Sequence, residues 1–387
     1  MSTATTLNAA ALLADTNLHR VILQATLVPV TGDRFQPAGF PEIGHVIYKA
    51  PRTDRTTADV CIVDSAASMA NHLEAVCHAN SFALELHEDL TGLPYVQCLT
   101  DGADEGGEES PGPHRLVVTS LSEGHRLAST YFVGKSVTLV LNSGDGETFI
   151  GRLTREFGLK DLKNKTHPLP GDWWRVFSRI FHYDPNSLVH GILFPSLGIK
   201  ISRVLTAHHE AFGAVRVGSS GVKFDKLGKT NSGQPIFAVD EETASEIRAT
   251  FILDLSLLRS FGLASNGLTG RQKEFLLELA LWKIRRLLAA PFRFRSNCDL
   301  RLGSLKWLGG DLSDPDNPKD KVLQLSELSV DIQAAIQAVF SDRQEPVTRV
   351  YWRSDELFRP GKDSEERPGE PASEEDAEDQ EEGEEES

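Results

Sequence analysis

The chain has 387 residues, 40% hydrophobic and 25% charged, with a formal net charge of −16. That length and composition suit a soluble globular body with a sizeable core, organised as one large domain or two. No apolar run reaches the roughly 18–20 residues that span a bilayer. The first twenty residues, MSTATTLNAAALLADTNLHR, lack a basic region ahead of their Ala/Leu stretch, so no secretory signal is expected. Cys61, Cys77, Cys98 and Cys298 show no C-x-x-C spacing or His ladder, which argues against structural zinc and a disulfide scaffold. A reducing cytoplasm is the expected location.

The charge is unevenly spread. Residues 363–387 carry 14 carboxylates against a single Arg367, a net of −13, which leaves −3 for residues 1–362. Five more carboxylates fall between Asp101 and Glu109, in a Gly-rich stretch. Residues 115–310 hold 27 Lys/Arg against 17 Asp/Glu, a net of +10. A basic body with an acidic tail points to nucleic-acid contact by the body, although a modest excess also suits an ordinary surface. The polar, low-complexity tail reads as disordered.

In chain order, His19–Val30 reads as a strand with Val21, Leu23, Ala25 and Leu27 on one face. A short apolar strand follows at Val60–Val63. Asp64 or Ser65 then caps a helix to about Asn80, with Met69, Leu73 and Cys77 inward and Ser68, Asn71 and His78 outward. Leu116–Leu121 is a further strand. Ser120 and Glu123 have capping-box spacing for a helix burying Leu127, Ala128, Tyr131 and Phe132. Residues 134–195 read as irregular, with an aromatic cluster at Trp173, Trp174, Phe177 and Phe181 expected to be core.

A strand over Ile199–Thr206 leads to a basic, Gly-rich excursion, VRVGSSGVKFDKLGKTNSGQP. Ile247–Leu255 alternates cleanly and Thr269–Ala289 is a long helix, apolar nearly all round. Phe292–Arg301 is expected as the last strand, with Phe292, Phe294, Cys298 and Leu300 on one face. Arg293, Arg295 and Arg301 lie on the other, where solubilising the outer face of the sheet accounts for them. The fold class is therefore α+β: a ferredoxin-like, RRM-like β-α-β-β-α-β palm from about 19–28, 65–79, 199–211, 246–256, 269–289 and 292–301, with large insertions. The aromatic RRM signature is missing.

Motifs for chemistry are scarce. A Walker-type loop, an H-E-x-x-H and a G-x-S-x-G elbow are all absent from the sequence. His208-His209-Glu210 lies in a strand, where neighbours point to opposite faces, so a metal is not expected there. No cofactor is expected. His125-Arg126 could serve a nuclease, but a cap or an RNA-phosphate contact suits it better, since no partner acid or base stands nearby.

Four stretches, in order, resemble one family. They are VDSAASMANHLE at residues 63–74, VTSLSEGHRLAS at 118–129, Asp184-Pro185 through Gly191 to Ser196, Lys200 and Arg203, and the strand-then-helix run from Phe251 to Arg301 with LALWKIRRLL. Together they are similar to the backbone, RAMP-superfamily subunit of type I-G (earlier I-U) CRISPR Cascade complexes, across roughly residues 20–305. One departure is Phe194-Pro195-Ser196, where the family has Trp-Asp-Ser.

The resemblance implies a hand-shaped, RNA-binding domain over 1–362. It has a palm, finger insertions at about 80–195 and a thumb at about 212–242, followed by the tail at 363–387. It also implies a non-catalytic protein that stacks in several copies along CRISPR RNA. The guide bases are left exposed to pair with target DNA, alongside other Cascade subunits and a separate nuclease-helicase.

The residues expected to grip RNA are Ser68, Asn71, His125, Arg126, Lys200, Arg203, Arg216, Lys223, Lys226 and Lys229. An RNA backbone is held without sequence readout by basic, hydroxyl and amide groups. Each has an ordinary alternative: the lysines solvate a loop, and Ser68 and Asn71 cap or decorate a helix. Two other functions stay open, a CRISPR-RNA-processing endoribonuclease of the same superfamily and an RNA-independent interaction protein.

Overall fold

The computed structural model describes residues 7–40, 44–101, 114–135, 137–139, 147–162, 165–219, 240–263, 265–308 and 320–352. Its architecture is α+β around an antiparallel sheet. Among the described residues this sheet has eight strands: β1 (Arg20–Pro29), β2 (Ile47–Pro51), β3 (Thr57–Asp64), β4 (Leu205–Phe212), β5 (Glu246–Asp254), β6 (Phe292–Arg295), β7 (Cys298–Leu308) and β8 (Lys321–Leu323). They lie in the order β6-β7-β1-β5-β4-β3-β2, with β8 also paired to β7.

The alternation read in β1 and β5 is what buries them. Val21, Leu23, Ala25 and Leu27 are inward, and so are Ile247, Ala249, Phe251 and Leu253. The two strands pair from Arg20↔Asp254 to Leu27↔Ile247. Two helices cross this sheet, α1 (Ala66–Ala75) on β4 and α4 (Gly270–Leu288) on β5, packed against each other. Ser65 caps α1 by accepting from the Ser68 amide at 3.1 Å. Thr269 and Gln272 close a capping box at the start of α4. Eleven of the nineteen residues of α4 are buried, Lys283 among them, while Arg271, Glu274, Glu278 and Arg286 keep to its outer side, so the helix is amphipathic rather than apolar nearly all round.

Several boundaries differ from the sequence reading. The strand expected over 199–211 is two. Ile199–Ile201 turns back on Ile192–Phe194 through Gly198 at φ 65°, and β4 starts afresh at Leu205. The last strand is also divided: Asn297, at φ 58°, turns β6 into β7. Phe294, Cys298 and Leu300 still share a buried face, because Phe292 sits opposite Leu300 across the hairpin. After Leu116–Thr119, the helix expected from Ser120 is a set of turns, a single 3-10 turn at Arg126–Ala128 and a four-residue helix at Thr130–Val133. The Ser120 side chain is committed elsewhere, accepting from the Val96 amide at 3.1 Å.

Residues 134–195 are more regular than expected. They contain a helix at Phe149–Glu156, then α2 (Trp173–Tyr183) and α3 (Pro185–His190). Asp184 links α2 to α3, accepting from the Asn186 amide at 3.1 Å. Trp173 and Trp174 are half-buried, and Phe177 and Phe261 pack at 4.9 Å between ring centres. A second sheet joins Tyr95–Thr100 to Leu116–Thr119 and, in parallel, to Val347–Trp352, so residues beyond the last expected strand return to this region. α5 (Ile332–Phe340) packs on α4, with Phe340 stacked on Phe181. The expected disordered tail lies outside the described residues.

Candidate nucleic-acid interface

The first motif begins where β3 meets α1. Asp64 ends the strand buried, and burial pushes its carboxyl up. The hydrogen bond from His72 (2.8 Å) and the charge of Arg295 (2.8 Å) outweigh that and hold it below the usual range. The His72 ring stands edge-on to Phe292 and Phe294, which ties α1 to the β6–β7 hairpin. Ser68 is half-buried, with its hydroxyl 3.3 Å from His72 Nε2. Its first role is thus internal support, whereas Asn71, almost one turn further on, is exposed.

Arg126 corrects the sequence reading most clearly. Expected on the RNA-facing surface, it is only 6% exposed. Its Nε and Nη2 donate to the two carboxylate oxygens of Glu74 at 2.7 and 2.8 Å, and Nη1 reaches the Gly124 and Gly191 carbonyls. Its backbone sits at φ 54°, a left-handed conformation that costs about 1–2 kcal/mol for a residue with a Cβ. A bidentate, desolvated ion pair is strong enough to hold it there.

Glu74 also accepts from Asn186 Nδ2 at 2.7 Å. Asn186 Oδ1 in turn accepts from Lys283 Nζ, which also meets His190 Nε2 at 3.1 Å. Glu74, Arg126, Asn186 and Lys283 come one each from the four stretches of the sequence resemblance. All four are buried, and together they bolt α1, the 120s turn, α3 and α4 into one unit. Burial, with the Lys283 charge beside it, pushes His190 well below its ordinary range, so it stays neutral.

Asp184 adjoins this network, and burial raises its carboxyl to about 6, against the hydrogen bond donated by the Ser187 hydroxyl at 2.7 Å. A raised acid binds more protons folded than unfolded between about pH 4 and 6. It therefore withdraws stability as pH rises through that window and withdraws no more above it. The melting temperature of Asp184→Asn relative to wild type should shift in favour of the variant from pH 4 to about 6.5, then level off. A difference that does not change with pH would contradict this.

Around the network the surface opens into two neighbouring clefts. One, of about 470 Å³, is lined by His125, Arg126, Lys200, Ser202, Arg203 and Thr206. Lys200 is exposed on the Ile199–Ile201 strand, His125 has an 83% exposed side chain, and Arg203 is half-buried with Nη1 on the Ala66 carbonyl at 2.9 Å. The other cleft, of about 300 Å³, includes Asn71, His72, His78, Ser81, Leu84 and Ser122. Glu74 lines this cleft and Arg126 the first, so their ion pair stands between the two. Six of the ten expected residues thus lie on or beside one strip: Ser68, Asn71, His125, Arg126, Lys200 and Arg203.

Arg216 lies elsewhere, exposed on a two-stranded ribbon formed by Val215–Ser219 and Asp240–Thr243, with Nε 3.4 Å from the buried Glu242. Lys223, Lys226 and Lys229 fall outside the described residues. His208 and His209 do face opposite ways, exposed and buried respectively. Among the described residues no group of three or more His, Cys, Asp or Glu side chains is placed to hold a metal ion. No helix among them is long and apolar enough to cross a membrane.

The family model for CRISPR-associated protein GSU0053 matches residues 21–216, just over half of the 387 residues. The chain belongs to this CRISPR-associated family. The matched segment of this GSU0053-family chain carries Glu74, Arg126 and Asn186 and both clefts, while Lys283 and strands β5 to β8 lie beyond it. None of the curated proteins matches the chain. Among solved structures, the crystal structure of Csc2 from Thermofilum pendens is similar at 13% identity, covering 84% of each chain with a TM-score of 0.32.

Sequence reasoning missed Glu74, Asn186 and Lys283. A signal was present: Glu74 falls on the apolar side of its helix, and Lys283 falls among Leu279, Ala280, Ile284 and Leu287 on the buried side of α4. Charges placed that way require partners.

Proposed function

We propose that this chain is the RNA-gripping, repeating backbone subunit of a type I-G Cascade complex and performs no chemistry of its own. The observation that carries the reading is the convergence of His125, Lys200 and Arg203 on one open cleft beside the exposed face of α1. A groove with cationic and neutral polar walls suits a phosphate backbone taken without regard to sequence. Membership of a CRISPR-associated family supports the same reading. So does the strand order β7-β1-β5-β4, all antiparallel, with α1 and α4 as crossovers; it is the arrangement of a ferredoxin-like palm. β3 and β2 extend that sheet at one edge.

The ribbon at 215–219 and 240–243 forms the base of the excursion assigned to a thumb. Its partners are CRISPR RNA, further copies of itself, target DNA through guide pairing, other Cascade subunits and a nuclease-helicase. Location in the cytoplasm belongs to the same proposal.

Incubation with labelled repeat RNA separates this subunit from a processing enzyme of the same superfamily. The RNA should come back bound and full-length. Site-specific cleavage would favour the endoribonuclease, and no binding at low salt would favour the RNA-independent protein.

A further inference from the structure

Phe82 stands out from every other large apolar side chain among the described residues. It is 103% exposed, whereas the next most exposed, Val322, is 64%. It sits at the tip of a hairpin in which His78 faces Leu86 and Asn80 faces Glu85. The tip has a fixed shape: Asn80 Oδ1 accepts from the Phe82 and Ala83 amides at 3.0 and 3.1 Å, and Leu84 takes φ 54°. Leu86 anchors the hairpin against the core. The ring is thus presented outward by its backbone rather than left without a place to pack.

The surroundings decide what it is presented to. Asn80, Ser81, Ala83 and Glu85 are all exposed, so Phe82 is a lone ring in a polar setting and not part of an apolar patch of the kind a protein partner covers. Its neighbours Ser81 and Leu84 line the 300 Å³ cleft, together with Asn71, His78 and Ser122. Burial lowers the His78 imidazole below its ordinary range and the Glu74 carboxylate of this cleft is paired with Arg126, while the exposed Glu85, opposite Asn80, is the one carboxylate of the hairpin. Across the Glu74–Arg126 pair lies the cleft of Lys200, His125 and Arg203. Cations on one side and a flat aromatic face beside a hydrogen-bonding cleft on the other suit the phosphates and the bases of a nucleic-acid strand.

We propose that Phe82 is a stacking platform for an unpaired nucleobase of a strand whose phosphates lie along the Lys200–Arg203 cleft. The inference rests on the RNA-binding reading above and adds a base-contacting residue to it. Stacking on an aromatic ring is tolerant of sequence, so the contact strengthens binding without selecting a base.

Two probes of equal length separate the claims: a labelled single-stranded RNA and an abasic ribose-phosphate oligomer, each titrated by fluorescence anisotropy. Phe82→Ala should weaken binding of the RNA by about fivefold to a hundredfold and leave the abasic oligomer unchanged. Phe82→Trp should retain affinity and Phe82→Leu should not. Because the side chain makes no packing contact, these variants should fold as the wild type does. The stacking proposal is overturned if Phe82→Ala binds RNA as wild type does, if it weakens both probes equally, or if Phe82→Leu is as good as Phe. Loss of self-association without RNA in Phe82→Ala would also overturn it, assigning the ring to a protein contact. A wild-type protein that binds neither probe would bring down the RNA-binding reading itself, and the stacking claim with it.

Discussion

Glu74→Ala should destabilise the fold by about 3–5 kcal/mol, the range for removing one partner of a buried ion pair. The loss is large because three groups depend on that carboxylate. Arg126 loses both charge-assisted bonds, and Asn186 Nδ2 loses its acceptor. Lys283, fully buried, is left in a site with a net positive charge. Water cannot repair this, since the side chains of Glu74 and Arg126 are 4% and 7% exposed. The backbone of Arg126 would also have less reason to remain at φ 54°.

Replacing both members with apolar residues of similar size, Glu74→Leu with Arg126→Met, should recover much of the loss, because no charge is then stranded at that pair. Urea denaturation of the two variants and of the wild type measures both effects. A Glu74→Ala variant within about 1 kcal/mol of wild type would show the pair to be solvated and the network unimportant.

The second large effect concerns binding. Lys200→Glu with Arg203→Glu should lower affinity for single-stranded RNA by about tenfold or more at moderate salt. It should also flatten the dependence of log affinity on log salt by about 1.4, from roughly 0.7 per lost phosphate contact. Lys200 is exposed and its replacement should cost little stability. Arg203 also holds the Ala66 carbonyl, so Lys200→Glu alone serves as the control for folding and should give about half the change in slope. Wild-type affinity and salt slope in the double variant would remove phosphate binding from this cleft.

What the sequence made legible follows from the period of its side chains. Val21 to Leu27 and Ile247 to Leu253 alternate so cleanly that their buried faces could be read directly, and the apolar run from Phe275 to Leu288 marks α4. Turns that depend on one backbone angle were not legible. Gly198 and Asn297 are residue types that favour a positive φ, yet the apolar alternation running past them masked the turns, each of which is set by the strand it returns to. The Val347–Trp352 strand was missed for a related reason: its partner, Tyr95–Thr100, lies some 250 residues earlier.

The candidate site was legible in part. Lys200, Arg203, His125 and Asn71 do meet along one strip; the first three stand in the family-like stretches and Asn71 on the polar face of its helix. Arg126 is expected on the surface because no partner acid stands out near it in sequence; its partner Glu74 lies 52 residues earlier, on the inner side of α1. Phe82 carried no signal in composition or period, since a lone Phe between Ser81 and Ala83 reads as a loop residue.

The most direct test of the central claim is native mass spectrometry of the purified chain mixed with RNAs of increasing length. Binding by a repeating backbone subunit predicts a stepwise rise in the number of copies per RNA as the RNA lengthens, with the steps lost in high salt. A single copy on every RNA, or the same oligomer with and without RNA, would contradict it.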